Sequence, residues 1–229
     1  MNRPGGQIAA RPLHFIWIID VSGSMAGDKI QALNNAIRES IPHMQREAGE
    51  NPYANVLIRA VTFSNGARWV NLDPIPVDKF VWTDVVADGV TDMGKALELV
   101  ADQLKIPPME ERALPPVLVL ISDGVPTDNF SEGLQKLMDL PWGKKAVKIS
   151  IAIGADADLS VLQKFIGNNE IKPLEANNVE SLVSYIKWAS TAVLKAASSP
   201  PSQVQSQGNL STNVPIPTAP PVESSTTVW

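Results

Sequence analysis

The chain has 229 residues, 44% of them apolar, which suits one large α/β domain with a sizeable core. Nineteen Lys and Arg against 24 Asp and Glu leave a net charge of −5, which argues against nucleic acid as a partner. The absence of cysteine excludes disulfides, thiolate metal sites and a cysteine nucleophile, and no apolar run approaches the roughly 18 residues of a membrane span. Residues 1–12 carry Arg3 and Arg11 with no apolar stretch between them, so they read as an N-terminal extension without a secretory signal, and the chain reads as cytoplasmic.

Leu13 to Ile19 is an almost unbroken apolar run ending at Asp20, the pattern of a strand covered on both faces. From Ala26 to Met44, Ile30, Leu33, Ile37, Ile41 and Met44 recur at helical spacing, with Asp28 in the first turn. Strands are predicted at Asn55 to Phe63 and Ala67 to Leu72, joined by Ser64-Asn65-Gly66, a hairpin connection that makes the second antiparallel to the first. A helix over Asp92 to Leu104 precedes a second fully apolar strand, Val117 to Ile121, which stops at Asp123-Gly124. The alternation continues with a helix at Ser131 to Leu140, a strand at Val147 to Ile153, a helix at Leu159 to Ile166, a short strand at Ile171 to Leu174 and a closing helix at Val179 to Leu194. The domain therefore spans 13–195 as a doubly wound, mainly parallel α/β sheet with one antiparallel edge strand and helices on both faces. Residues 196–229 are rich in Pro, Ser and Thr with Glu223 as the lone charge, the composition of a disordered tail.

In such a sheet ligands bind where strand order reverses, at the carboxyl ends of the strands. Asp20-Val21-Ser22-Gly23-Ser24 follows the first strand, and residues two apart in extended chain project to one side, so Asp20, Ser22 and Ser24 converge. Thr91 lies just before one helix and Asp123 just after the second apolar strand, so five oxygen donors gather at strand ends and helix starts. Hard Mg²⁺ takes oxygen ligands and retains waters, which makes two carboxylates and three hydroxyls a reasonable partial shell. Singly, each has a structural explanation: Ser24 or Thr91 as a helix cap, Asp123-Gly124 as a turn.

In their order and spacing Asp20-Val21-Ser22-Gly23-Ser24-Met25, Thr91-Asp92-Met93-Gly94-Lys95-Ala96-Leu97 and Ile121-Ser122-Asp123-Gly124 resemble the metal-ion-dependent adhesion site of von Willebrand factor A (VWA) domains. The resemblance covers about Leu13 to Leu194. It implies a Rossmann-like VWA fold, with Ser22, Ser24 and Thr91 as hydroxyl ligands of Mg²⁺ or Mn²⁺, and Asp20 and Asp123 as carboxylates acting largely through water. Thr91 is then expected to engage chiefly when a partner is bound. A site with few direct anionic ligands leaves the metal electropositive, fit for an Asp or Glu of a protein partner. With Val61-Thr62-Phe63 and the run on to Pro126-Thr127-Asp128, the chain is most similar to bacterial tellurium-resistance, TerY-like proteins. That similarity implies a non-enzymatic scaffold in stress response or signalling, in company with a protein kinase and a PP2C-type phosphatase. The tail's Ser211, Thr212, Thr218, Ser224, Ser225, Thr226 and Thr227 would offer a kinase substrate.

Three enzyme readings compete. Gly89 to Ala96 nearly spells a P-loop, but Ala96 stands where a Ser or Thr must meet Mg²⁺, and packing through Gly94 is the plainer explanation. A Mg²⁺-dependent phosphatase of the haloacid dehalogenase type would use Asp20 as nucleophile, yet Ser22 replaces the general acid expected two residues on. A serine hydrolase needs a nearby base; His14, before the first strand, and His43, late in the first helix, should both lie away from Ser22. Asp156-Ala157-Asp158 reads as a turn or helix cap, Trp17 as core, and Trp82 and Trp142 as either half-buried under loops or exposed contact anchors.

Overall fold

The computed structural model describes residues 10–198, 214–221 and 229. Strand β1 (Arg11–Asp20) runs through the middle of the molecule and ends in a 3-10 turn (Gly23–Met25) that leads into helix α1 (Asp28–Gly49). Gly27 separates turn from helix with φ +81°, a left-handed conformation natural to glycine, and this break starts α1 two residues later than the apolar periodicity predicts. Strands β2 (Ala54–Ser64), β3 (Gly66–Trp69) and β4 (Ile75–Pro76) follow, then α2 (Met93–Gln103), β5 (Val117–Ser122), α3 (Phe130–Asp139), α4 (Pro141–Lys145) and β6 (Val147–Ile153). The chain continues as α5 (Leu159–Ile166), β7 (Leu174–Ala176), α6 (Val179–Trp188), a π-helical turn (Ala189–Val193) and α7 (Leu194–Ser198).

The sheet has the order β3-β2-β1-β5-β6-β7, with β4 also paired to β2. The pairs among β1, β2, β5, β6 and β7 are parallel, while β3 and β4 run antiparallel to β2, so the expected antiparallel edge is present. β1 alternates between two cores. Leu13, Phe15, Trp17 and Ile19 face α1, α6 and α7, whereas Ile16 and Ile18 face α2, α3, α4 and α5. Covering both faces explains why β1 and β5 are continuous apolar runs.

Several boundaries differ from the sequence reading for local reasons. β3 stops at Trp69 because the Asn71 side chain then stands in for the ladder, its Oδ1 accepting from Ala60 N at 3.0 Å and its Nδ2 donating to Ile58 O at 3.1 Å. The last strand is Leu174–Ala176 rather than Ile171 to Leu174, because Ile171 N turns back on Asn168 O. β1 begins at Arg11, inside the expected extension, with the Arg11 guanidinium donating to Arg112 O and Ala113 O at 2.7 Å. His14 is thereby within β1, buried, with Nε2 3.0 Å from Glu110 Oε2. The closing helical segment is longer than predicted and widens at the π-helical turn.

For part of the tail the structure departs from the expectation of disorder: Val214 belongs to the buried core that also contains residues of α1 and α6, and Ile216 and Trp229 pack against that core. Trp229 N also donates to Asn177 O at 3.1 Å. The rest of the tail, with Ser211, Thr212 and Ser224 to Thr227, lies outside the described residues, as do residues 1–9 of the extension. Trp82 and Trp142 are both buried, which removes the contact-anchor reading; the Trp82 indole donates to Asn34 Oδ1 at 3.0 Å and stacks edge-on against Trp17. Asp158 caps α5, accepting from Ser160 N and Val161 N, as a cap reading requires.

Candidate metal site

β1 and β5 are neighbours, yet the chain leaves them in opposite directions across the sheet, so their carboxyl ends open a crevice at the point of reversal. Asp20 ends β1 and Asp123 immediately follows β5, placing the two carboxylates on either side of that crevice. The two segments are held together there by Ser122, whose hydroxyl donates to Asp20 Oδ2 at 2.5 Å. The other oxygen of Asp20 accepts the Ser22 amide at 2.8 Å, so the loop after β1 turns around its own carboxylate.

The turn sets the hydroxyls of Ser22 and Ser24 3.0 Å apart, and Ser24 donates on to Asp123 Oδ1 at 2.7 Å. Ser24 therefore reaches across the crevice instead of capping a helix. The loop preceding α2 completes the rim. Gly23 N donates to Gly89 O at 2.9 Å, and Thr91 exchanges backbone contacts with Thr127, through Thr127 N to Thr91 O at 2.9 Å and Thr91 N to Thr127 Oγ1 at 3.0 Å. Gly124 lies between the parts: a Cβ there would stand 3.4 Å from Thr91 Oγ1 and 3.8 Å from Asp20 Oδ2. Asp20, Ser22, Ser24, Thr91 and Asp123 are thus gathered in one place.

Burial sets the electrostatics. Asp20, Ser22, Thr91 and Asp123 are all buried. The Asp20 carboxyl is pushed above the usual carboxylate range chiefly by desolvation, opposed by the Ser122 and Ser22 hydrogen bonds, with a smaller upward push from Asp123. Among the described residues no group of three or more His, Cys, Asp or Glu converges to hold a metal. The donor set is two carboxylates and three hydroxyls, all hard oxygen, which fits a magnesium-like ion that keeps several waters and does not fit a soft-metal cage.

Four residues near the rim were not assigned by sequence reasoning. Ser122 lies inside the Ile-Ser-Asp motif but its direction could not be read. Lys29, in the first turn of α1, donates to Asp123 Oδ2 at 2.6 Å; a cation at a helix N-terminus is the wrong sign for the helix dipole, and that was the available signal. Asp92 accepts from Gly66 N, Thr127 Oγ1 and Lys95 Nζ, which holds its carboxyl below the usual range, the Lys95 hydrogen bond being the largest cause. Asp128 accepts from Gly94 N and Lys95 N, both at 2.8 Å.

The Asp128 carboxylate occupies the α2 N-terminus where a P-loop would cradle phosphate, so that reading fails on geometry. Gly94 serves packing instead: Gly133 sits so close that a Cβ on it would be 2.3 Å from Gly94 O. His14 lies on β1 six residues before Asp20, and His43 lies on α1, so neither is placed to serve Ser22 as a base.

Solved structures with the same architecture include a von Willebrand factor type A protein from Catenulispora acidiphila, with TM-score 0.61 and 16% identity over 82% of this chain and 43% of that one. The fold is that of a VWA domain. A second neighbour is proximal thread matrix protein 1 from the mussel byssus, solved with a zinc-occupied MIDAS motif, with TM-score 0.58 and 16% identity over 82% of this chain and 47% of that one. By sequence the domain is similar to inter-alpha-trypsin inhibitor heavy chain H6 of Homo sapiens, 26% identical over 160 residues covering 65% of this chain. The match spans only 12% of that relative's length. No family model matches the chain.

Proposed function

We propose that this chain is a divalent-metal-dependent protein interaction module in which Asp20, Ser22, Ser24, Thr91 and Asp123 hold Mg²⁺ or Mn²⁺ and a partner's Asp or Glu completes the site. The observation that carries the reading is the Ser22–Ser24–Asp123 hydroxyl chain spanning the crevice between β1 and β5. A bound divalent ion would supply a Lewis-acidic position for an incoming carboxylate oxygen. The chain's residues do the rest: Ser22 and Ser24 offer neutral donors, and Ser122 together with the Ser22 amide holds Asp20 in place. Neutral hydroxyls in the inner shell, with the carboxylates acting largely through water, would leave a coordination position open to the partner's oxygen. The zinc-occupied motif of the byssus protein supports a divalent ion at this position in the fold.

The finer reading is a scaffold in a tellurium-resistance-like stress response or in kinase and PP2C-type phosphatase signalling, in the cytoplasm of a bacterium. It rests on the motif similarity alone. A phosphatase with Asp20 as nucleophile is disfavoured because that side chain is fully buried and both of its oxygens accept hydrogen bonds.

The test is affinity capture from a lysate with Mg²⁺, Mn²⁺ or chelator, paired with calorimetric titration of Mg²⁺ into the purified chain. Metal binding that is lost in Asp20→Ala and Asp123→Ala, and capture lost in chelator and in both variants, is the expected result. Unchanged capture in chelator would sink the metal bridge, and Mg²⁺-dependent hydrolysis of p-nitrophenyl phosphate lost with Asp20 would establish the phosphatase.

A further inference from the structure

Lys29 is placed against local electrostatics. It lies in the first turn of α1, where the helix dipole disfavours a cation, and it is largely withdrawn from water, its side chain 18% exposed. What holds it is Asp123, whose side chain is fully buried and whose Oδ2 receives the ammonium at 2.6 Å. The lysine stem lies along the end of β6, where a Cβ on Gly154 would stand 3.6 Å from Lys29 Cε, an ordinary van der Waals contact. Asp123 therefore offers its oxygens to two demands. Oδ1 faces Ser24 and the hydroxyls of the candidate site, and Oδ2 faces a covalently tethered cation.

The formal charges set the consequence. Asp20 and Asp123 contribute two negative charges and Lys29 contributes one positive, so the site alone carries one net negative charge. With a divalent ion added it carries one positive charge, and without Lys29 it would be neutral. An ammonium sharing a carboxylate with the ion stands within several ångströms of it, in a buried setting where like charges repel strongly.

We propose that Lys29 is a built-in counter-cation of the metal site: it neutralises and orients Asp123 when no metal is bound, it opposes the entry of a divalent ion, and it keeps the loaded site positively charged toward an acidic partner. The inference rests on the metal-site reading. It makes Lys29 a positioning residue that sets metal affinity rather than a ligand.

Two measurements on the full chain test it: Mg²⁺ titration by calorimetry, and thermal unfolding in chelator. Lys29→Met should bind Mg²⁺ at least tenfold more tightly than wild type while melting at a lower temperature in chelator, because Asp123 is left buried without its cation. Folding that requires Mg²⁺ would be the same result in a stronger form. Lys29→Arg, which keeps the charge, should stay within about threefold of wild type in Mg²⁺ affinity by the same Coulomb argument. Lys95→Met, which removes the cation paired with Asp92, should do likewise. Wild type that binds Mg²⁺ together with a Lys29→Met variant that binds it equally or more weakly overturns the role of Lys29 and leaves the proposed function standing. An arginine variant that gains affinity as the methionine variant does overturns it too. Wild type that binds neither Mg²⁺ nor Mn²⁺ ends both.

Discussion

Two rows of residues cross the same sheet on the same face, four residues apart along β1, or about 13 Å. The lower row reads Arg59, Ile16, Leu118 and Lys148 across β2, β1, β5 and β6. At the upper level β1 presents Asp20 beside Phe63 of β2, and β5 presents Ser122 beside Ala152 of β6. The lower row buries two cations at its flanks, and the upper buries a carboxylate at its centre. They differ in how the charge is answered. Arg59 is held by fixed acceptors, Gln103 Oε1 and the carbonyls of Asn71 and Leu72, and stacks 3.6 Å from the Trp69 ring. Lys148 donates to a backbone carbonyl, Gly143 O, at 3.3 Å. Of the carboxylates above, Asp20 accepts one backbone amide, from Ser22, and the other bonds to the pair come from rotatable hydroxyls and one long lysine. Buried charge closed by backbone and ring is structural, whereas buried charge met by hydroxyls that can turn toward a new ligand marks a site.

Arg59 should give the largest effect. Arg59→Met leaves two backbone carbonyls and a buried amide oxygen without their donor and should cost about 4 kcal/mol in urea unfolding, with Mg²⁺ affinity unchanged. A loss under about 1 kcal/mol would mean that this row is as adaptable as the one above.

Lys148 should move the other way. Burial lowers its pKa from 10.5 to about 8, so the folded state resists protonation. Below about 8 the lysine is charged in both states and the full cost is present; between about 8 and 10.5 the unfolded chain binds the extra proton, so stability rises with pH; above 10.5 the cost is gone. Lys148→Met should therefore gain about 3 kcal/mol at pH 7, since lowering a pKa tenfold in acidity costs the charged form about 1.4 kcal/mol. That advantage should shrink progressively from pH 8 to 10.5 in parallel denaturation series. A constant difference across that range would show that packing, not charge, separates the two proteins.

The layout of both rows was legible in unequal measure. β1 and β5 announced themselves as unbroken apolar runs, and Asp20, Ser22, Ser24, Thr91 and Asp123 followed from strand ends and a spaced motif. Local pattern finds what lies within one strand or turn. It misses what depends on direction: that Ser122 turns inward to Asp20, that Lys29 reaches across to Asp123, or that Asn71 replaces a ladder with its side chain. It misses also what is decided by long-range packing. Proline-rich composition gave no sign that Val214 would sit in the core, and Arg59 and Lys148 resemble surface residues until their strands are known to be central.

In the upper row the expected changes are smaller and depend on metal. Burial raises the Asp20 pKa, so its carboxylate costs stability once pH climbs past the unfolded value of 3.8 and through the raised folded value, and the cost is complete above that. Asp20→Asn should be more stable than wild type in chelator at neutral pH, because burial disfavours the charged carboxylate, and the gain should vanish near pH 3, where both proteins are neutral at this position. Added Mg²⁺ should stabilise wild type and leave the variant unmoved. Equal stabilisation of both by Mg²⁺ would place the ion elsewhere.

Thr91 should show the smallest effect on the isolated protein and so divides the upper row most finely. It is buried on the rim, its amide and carbonyl are engaged with Thr127, and its hydroxyl faces Gly124 across from Asp20. The backbone contacts survive, but Thr91→Ala removes a buried methyl along with the hydroxyl, so it should cost about 1 kcal/mol of stability. If Ser22, Ser24 and the two carboxylates hold the resting ion and Thr91 engages with a partner in place, calorimetry should find Mg²⁺ affinity within about threefold of wild type, roughly 0.65 kcal/mol. Capture of an acidic partner in Mg²⁺ should fall by tenfold or more, and Thr91→Ser should restore it by returning the hydroxyl. Metal affinity lost along with capture would instead make Thr91 an equal member of the resting shell, and the distinction between a part of the row that holds the ion and a part that responds to the partner would disappear.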